Sequence, residues 1–347
     1  MNVLVIGGTR FVGPHVVRRL VDAGHNVTVF HRGETEADLP PAVRHIYGDR
    51  RDLLDFQDEF KQLAPQVVLD MIAYTEDEAL AVMRVFKGLA QRVVAVSSAD
   101  VYRAYGLLLR LESGPPDHVP LSEDAPLRDM LYPYRAKAAS PDDRAFSYDK
   151  ILVERVFMSD SELPGTILRL PAVYGPGDFQ HRLFEYVKRM DDGRRAILLE
   201  ETQAVWRWTR GYVEMVAAAI ALAVMNERAR GRIYNVGEKD ALTEAEWVRA
   251  IGQAVGWEVE VIAVPKDLLP AQMAGDYALE HHLVVDSSRA RRELGYNEEV
   301  TREDALKRTI EWERANPPEE IDPQQFDYAA EDAVLESIKA LSPGVAK

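Results

Sequence analysis

The first thirteen residues, MNVLVIGGTRFVG, constrain the fold more than any other stretch. Val3, Leu4, Val5 and Ile6 form an apolar run too short for a helix and rich in β-branched residues. It reads as a strand buried on both faces. Gly7, Gly8 and Gly13 follow at once, and Val16, Val17, Leu20 and Val21 then recur at helical spacing. Strand, glycine turn and helix in that order give a glycine motif its meaning. Glycines let the backbone approach a pyrophosphate, and a helix N-terminus offers free N–H groups and a positive dipole to hold it. We therefore expect Gly7, Gly8, Thr9, Arg10, Phe11, Val12 and Gly13 to cradle a dinucleotide.

Strand and helix patterns alternate through the first two thirds, as in a Rossmann-like, doubly wound parallel α/β sheet. Strands are expected at 26–30, 45–47, 67–70, 92–97, 166–170 and 231–236, and helices at 149–158 and 213–225. Ligands gather outside the carboxyl ends of such strands. Ile72 and Ala73 then lie along the cofactor, and Ser98 lies where chemistry occurs. NAD-specific folds place an acidic residue after the second strand to bind the ribose 2′-hydroxyl. Here His31 stands there and Arg32 follows, so Arg10 and Arg32 together lean to NADP over NAD.

Residues 103–145, punctuated by six prolines, read as an irregular excursion over the site. Residues 1–174 with 206–238 are expected to form the dinucleotide-binding domain. Residues 175–205 with 239–347, less regular and richer in charge, form a smaller substrate lobe and an acidic tail. In that tail Phe326, Ala330, Val334 and Ile338 fit a docking helix, with a solvated tail as the alternative.

A net charge of −15 disfavours nucleic acid and anionic membranes as partners. No run approaches the roughly 18 apolar residues of a membrane helix. The chain opens directly into a strand, so we expect no leader and a cytoplasmic location. Cysteine is absent, and His281 and His282 are adjacent without carboxylates at ligand spacing, so no metal is expected.

The spacing Gly7-x-x-Arg10-x-x-Gly13 resembles that of the short-chain dehydrogenases, with Arg10 in place of the middle glycine. Ser97–Tyr102, Lys150–Glu154, Arg169–Gly177, Arg210–Val213, Tyr234–Gly237 and Asp286–Tyr296 follow in the order found in the extended members. The chain resembles the NAD-dependent epimerase/dehydratase family, most of whose members act on nucleotide sugars. The resemblance implies an oxidoreductase or isomerase acting on a nucleotide sugar or similar small polar molecule. It also implies homodimers pairing through the helix at 83–89 and the one after Tyr148. Asp49 then meets the adenine, and Pro171 lies beside the cofactor. Tyr174, Arg182, Arg207 and Arg210 face the substrate, the arginines, with Lys188 and Arg194, as ligands for a diphosphate. Trp206 and Trp208 flank Arg207 and face the opposite side of their strand.

Family chemistry uses a serine or threonine with a Y-x-x-x-K pair. A lysine about 4 Å from the phenol, at an effective dielectric near 20, supplies roughly the 4 kcal/mol needed to make tyrosine a base near pH 7. Ser98 fits the serine and Lys150 the lysine, but the tyrosine position falls on Phe146, which has no proton to exchange. Tyr148, two residues on, lies about 200° round a continuous helix and serves only if the helix begins near Asp149. Asp100 lies where dehydratases of the family carry an acid. Ser98, Asp100, Tyr148 and Lys150 are thus the catalytic candidates. A cofactor-binding sensor or scaffold without turnover is one alternative. The other is an RNA-binding protein like the plant chloroplast stem-loop-binding proteins, whose branch the GGTRF of Gly7–Phe11 resembles.

Overall fold

The computed structural model describes residues 1–35, 37–258 and 260–341. Its strands are β1 (Asn2–Ile6), β2 (Asn26–His31), β3 (Arg44–Tyr47), β4 (Val67–Asp70), β5 (Arg92–Ser98), β6 (Gly165–Leu170), β7 (Ala172–Tyr174), β8 (Ala196–Glu200), β9 (Arg210–Tyr212), β10 (Arg232–Asn235) and β11 (Glu260–Val264). Seven of them form one parallel sheet in the order β10-β6-β5-β4-β1-β2-β3. The order reverses between β1 and β4, the crevice where open α/β sheets bind ligands.

The unbroken apolar run of β1 has a direct cause. Val3 and Val5 enter one core, with the helices Val12–Asp22 and Val213–Met225. Leu4 and Ile6 enter the other, with Glu76–Phe86 and Lys150–Phe157. Val213–Met225 is buried on nearly every side, and none of the described helices is long and apolar enough to cross a membrane.

Residues 175–205 and 239–347, expected to be less regular than the sheet domain, contain several defined elements. Helices occupy Phe184–Asp191, Glu244–Ala254, Ser288–Leu294, Arg302–Ala315 and Tyr328–Leu341. The strands β8 and β11 pair in a small parallel sheet, and β7 pairs with β9. Those partners lie far apart in sequence, so no local turn announces them. The C-terminal helix is docked: Val334, Leu335 and Ile338 pack on Leu198, Val264 and Leu269. Glu331 receives Arg189 at 3.0 Å in a buried pair, and Asp332 receives Arg194 at 2.6 Å.

Candidate active site

Gly7 and Gly8 adopt φ of +89° and +86°, which L side chains rarely reach. A Cβ on Gly13 would lie 2.4 Å from the Gly8 backbone, so the helix backs directly onto the turn. Phe11, at φ +48°, precedes that helix without a side-chain cap, and the first turn carries no acid. Its N–H donors therefore have no internal anion, and the cradle fits a dinucleotide pyrophosphate.

At the ends of β2 and β3 the cationic groups have local partners. Arg10 Nε donates to Thr35 Oγ1 at 2.9 Å, and Arg32 pairs with Glu34 at 2.7 Å, both half-exposed. The His31 ring lies 2.8 Å from His45, and its Nδ1 accepts the Gly33 N–H at 3.2 Å. Asp49 caps the short helix Arg50–Phe56; the hydrogen bond from the Arg51 side chain holds its carboxyl down at about 2.

Beneath the glycine turn, Arg50 forks onto buried Asp70 at 3.0 and 3.1 Å. Asp70 Oδ1 accepts the Ile72 N–H at 2.9 Å, which fixes the exit of β4 against Gly7. Lys150 Nζ donates to Ala73 O at 2.5 Å and Val96 O at 2.9 Å, tying the ends of β4 and β5. Burial lowers its pKa to about 8. Pro171 joins β6 to β7 and abuts Gly211 of β9.

The helix carrying Lys150 starts at Lys150. Asp149 caps it, accepting the Ile151 N–H at 2.8 Å, and Tyr148 is extended at φ −63°, ψ 122°. Arg144–Ser147 is a separate turn of helix. Phe146 and Lys150 therefore do not share a helix face. Phe146 sits under the Arg135 guanidinium at 4.7 Å, whereas the Tyr148 hydroxyl donates to Asp100 Oδ2 at 2.7 Å.

Asp100 is the centre of a phenol cluster. Its Oδ2 also accepts the Tyr134 hydroxyl at 3.3 Å, which lies 2.8 Å from the Tyr105 hydroxyl. Its N–H donates to Ser98 Oγ at 3.1 Å, leaving the serine proton free. Asp100 Oδ1 is buried with no hydrogen-bond partner among the described residues. Desolvation raises the carboxyl above its ordinary 3.8, opposed by the Tyr148 bond, Arg128 and Lys150. Desolvation, and then the Asp100 charge, push Tyr148 well above 10. Tyr148 is thus a donor to one oxygen of Asp100, and the other oxygen has no partner among the described residues.

Two participants carried no sequence signal. Arg128, buried in the proline-rich excursion, donates to Asp100 O at 2.5 Å, and Tyr105 closes the phenol chain. Glu154 was legible as part of a motif, and its task is now visible. It takes the Arg169 fork at 2.7–3.2 Å and the Ser97 hydroxyl at 2.6 Å, locking β5, β6 and the Lys150 helix together.

Beside Tyr105 opens a cavity of about 400 Å³ whose wall includes Tyr174, Trp206, Trp208 and Trp247. Arg182 and Arg210 reach it already paired, with Asp178 at 2.6 Å and Glu244 at 2.5 Å. Arg207 is exposed and off the wall, on the opposite side from the two tryptophans. Lys188 and Arg194 are taken by Asp192 and Asp332. Among the described residues no three His, Cys, Asp or Glu side chains gather as a metal site.

The profile of the NAD dependent epimerase/dehydratase family matches residues 3–237. The chain is 28% identical to 2'-dehydrokanamycin reductase of Streptomyces kanamyceticus, over 79% of this chain and 72% of that one. It is 24% identical to the chloroplast stem-loop binding protein of 41 kDa b of Arabidopsis thaliana, over 86% of this chain and 75% of that one. The fold superposes on a UDP-glucose-4-epimerase from Stenotrophomonas maltophila, solved with NAD and formylated UDP-arabinopyranose. The TM-score is 0.67 at 21% identity, covering 91% of this chain and 98% of the other. With the family profile matching residues 3–237, more than half of the chain, the protein belongs to the NAD-dependent epimerase/dehydratase family.

Proposed function

We propose that the protein is an NAD(P)-dependent oxidoreductase of the epimerase/dehydratase or reductase type, acting on a nucleotide sugar or related sugar-derived molecule. Residues 1–174 and 206–238 hold the dinucleotide; 175–205 and 239–347 shape the substrate site. When bound, the dinucleotide gives or takes a hydride. Gly7–Gly13 hold its pyrophosphate, with His31, Arg32 and Asp49 at the adenosine end and Ile72, Ala73, Lys150 and Pro171 along its length. The absence of a carboxylate at His31, with Arg10 and Arg32 beside it, favours NADP.

One observation carries the catalytic reading. Asp100 is buried, raised in pKa, and left with a bare oxygen, while Tyr148 supports its other oxygen at 2.7 Å. A substrate hydroxyl or its conjugate carbonyl fits that bare oxygen, with Ser98 as the second hydrogen bond. Asp100 takes or returns the proton, Tyr148 steadies its charge, and Lys150 lowers the cost of ionising it. A silent sensor and an RNA-binding protein each leave the bare carboxyl oxygen unexplained, and the charge of −15 opposes RNA.

The reading is completed by a cytoplasmic setting and by pairing of two copies through Glu76–Phe86 and Lys150–Phe157. Leu80 is the large apolar side chain exposed on the first of these helices. Sedimentation velocity showing only monomer at micromolar concentration would remove the dimer. Calorimetric titration with NADP and NAD tests the rest. NADP should bind at least about tenfold tighter, given an arginine–phosphate pair; absence of binding by either refutes the reading.

A further inference from the structure

The charge of the cavity beside Tyr105 does not suit a nucleoside diphosphate. Three carboxylates line it, Glu185, Glu200 and Glu244, against the two guanidiniums of Arg182 and Arg210. Both guanidiniums are already neutralised, by Asp178 and Glu244. Glu185 is open to the cavity and has no ion-pair partner among the described residues. Desolvation by the surrounding walls raises its pKa, opposed by the charge of Arg189 one helical turn on, which is itself paired with Glu331. The remaining wall is strongly aromatic. Trp206 and Trp208 lie 5.4 Å apart, and the Arg210 guanidinium already sits 4.3 Å over the Trp247 ring. Ring faces and a lone carboxylate both attract cations. A phosphate about 5 Å from that carboxylate, at an effective dielectric near 20, would lose roughly 100-fold in affinity.

We propose that this cavity binds the amine-bearing part of a cationic substrate, an amino sugar or aminocyclitol whose ammonium is drawn to Glu185 and the tryptophan faces. The proposal rests on the oxidoreductase reading above, because Tyr105 links the cavity wall to Tyr134 and Asp100. It narrows the substrate from sugar-derived molecules in general to those carrying positive charge.

Calorimetry on the full chain separates the two. NADP is titrated first, then kanamycin and UDP-glucose are each titrated into the NADP-saturated protein. Kanamycin should bind saturably, and UDP-glucose at least about tenfold more weakly. Glu185→Gln should weaken kanamycin about tenfold or more while leaving NADP affinity unchanged. Trp208→Leu, a second wall variant, should weaken it about threefold or more at an unchanged melting temperature. Tighter binding of UDP-glucose than of kanamycin, no kanamycin binding, or kanamycin binding indifferent to both substitutions overturns the proposal. A failed NADP titration instead sinks the oxidoreductase reading, and the kanamycin result then decides the cavity alone.

Discussion

The cleft has two sides built on different principles. The cofactor side is made of backbone. Gly7, Gly8 and Gly13 are required by positive φ and by a 2.4 Å approach, and the donors are helix N–H groups. The substrate side is made of side chains gathered from distant segments: Asp100 after β5, Arg128 and Tyr134 from the excursion, Tyr148 before a helix cap, and three tryptophans. A backbone site tolerates few sequences and leaves a motif. A side-chain site can exchange one phenol for another group and keep its geometry. The role proposed for Tyr148, with Phe146 at the family's tyrosine position, would be such an exchange.

The sharpest way to break this comparison is Asp100→Asn. It keeps the shape of the cluster and removes the group proposed to give or take the proton. Turnover, read as NADPH oxidation with the best carbonyl substrate found, should fall about 10²–10⁴-fold. NADP affinity should stay within about twofold, because that carboxyl makes no hydrogen bond to the glycine turn, the main cofactor contact. Gly13→Ala is the converse. Its Cβ must displace the Gly8 backbone, so NADP affinity should fall roughly 100-fold by calorimetry while the tryptophan cavity is untouched.

The pH profile sharpens the same division. Measured in the opposite direction, as NADP reduction by the corresponding alcohol, Asp100 must be ionised to accept the proton, and its pKa is raised, so kcat/KM should rise with pH through a limb above 3.8. Lys150 must stay charged to favour that ionisation, so kcat/KM should fall again near its pKa of about 8. Lys150 also makes a stability contribution of definite sign. Its folded pKa of about 8 lies below the ordinary 10.5, so between these values the unfolded chain binds more protons. Stability from this group therefore rises with pH across that window. A profile with no alkaline limb below pH 9 would separate Lys150 from the chemistry.

The smallest effect on either side of the cleft is expected from Glu331→Ala. It strands Arg189 in a buried position and should cost about 3–5 kcal/mol in urea unfolding. NADP affinity should change less than about twofold, since that pair only secures the C-terminal helix.

What could be read beforehand follows the same line. The seven expected sheet strands and the helix at 213–225 were legible, the central strands and the helix because continuous apolar runs announce burial on both faces. The helix start was legible in part: Asp149 is a capping residue type, and only a break there allows Tyr148 to turn inward. Arg128 was not, because it falls among prolines where no period operates, and Tyr105 was not, because its helix, Arg103–Leu108, is too short to show a period. The pairing of β8 with β11 was hidden by sequence distance, and so was the neutralisation of Arg210 by Glu244; Asp178 stands four residues before Arg182, a spacing that the sequence does show.

The most direct measurement compares Tyr148→Phe and Phe146→Tyr in one NADPH-oxidation assay. With Tyr148 holding Asp100 at 2.7 Å and Phe146 covered by Arg135, the first should lose about tenfold or more in kcat and the second should change less than twofold. A tenfold gain from Phe146→Tyr, with Tyr148→Phe silent, would show that proton transfer belongs at position 146 and contradict the account.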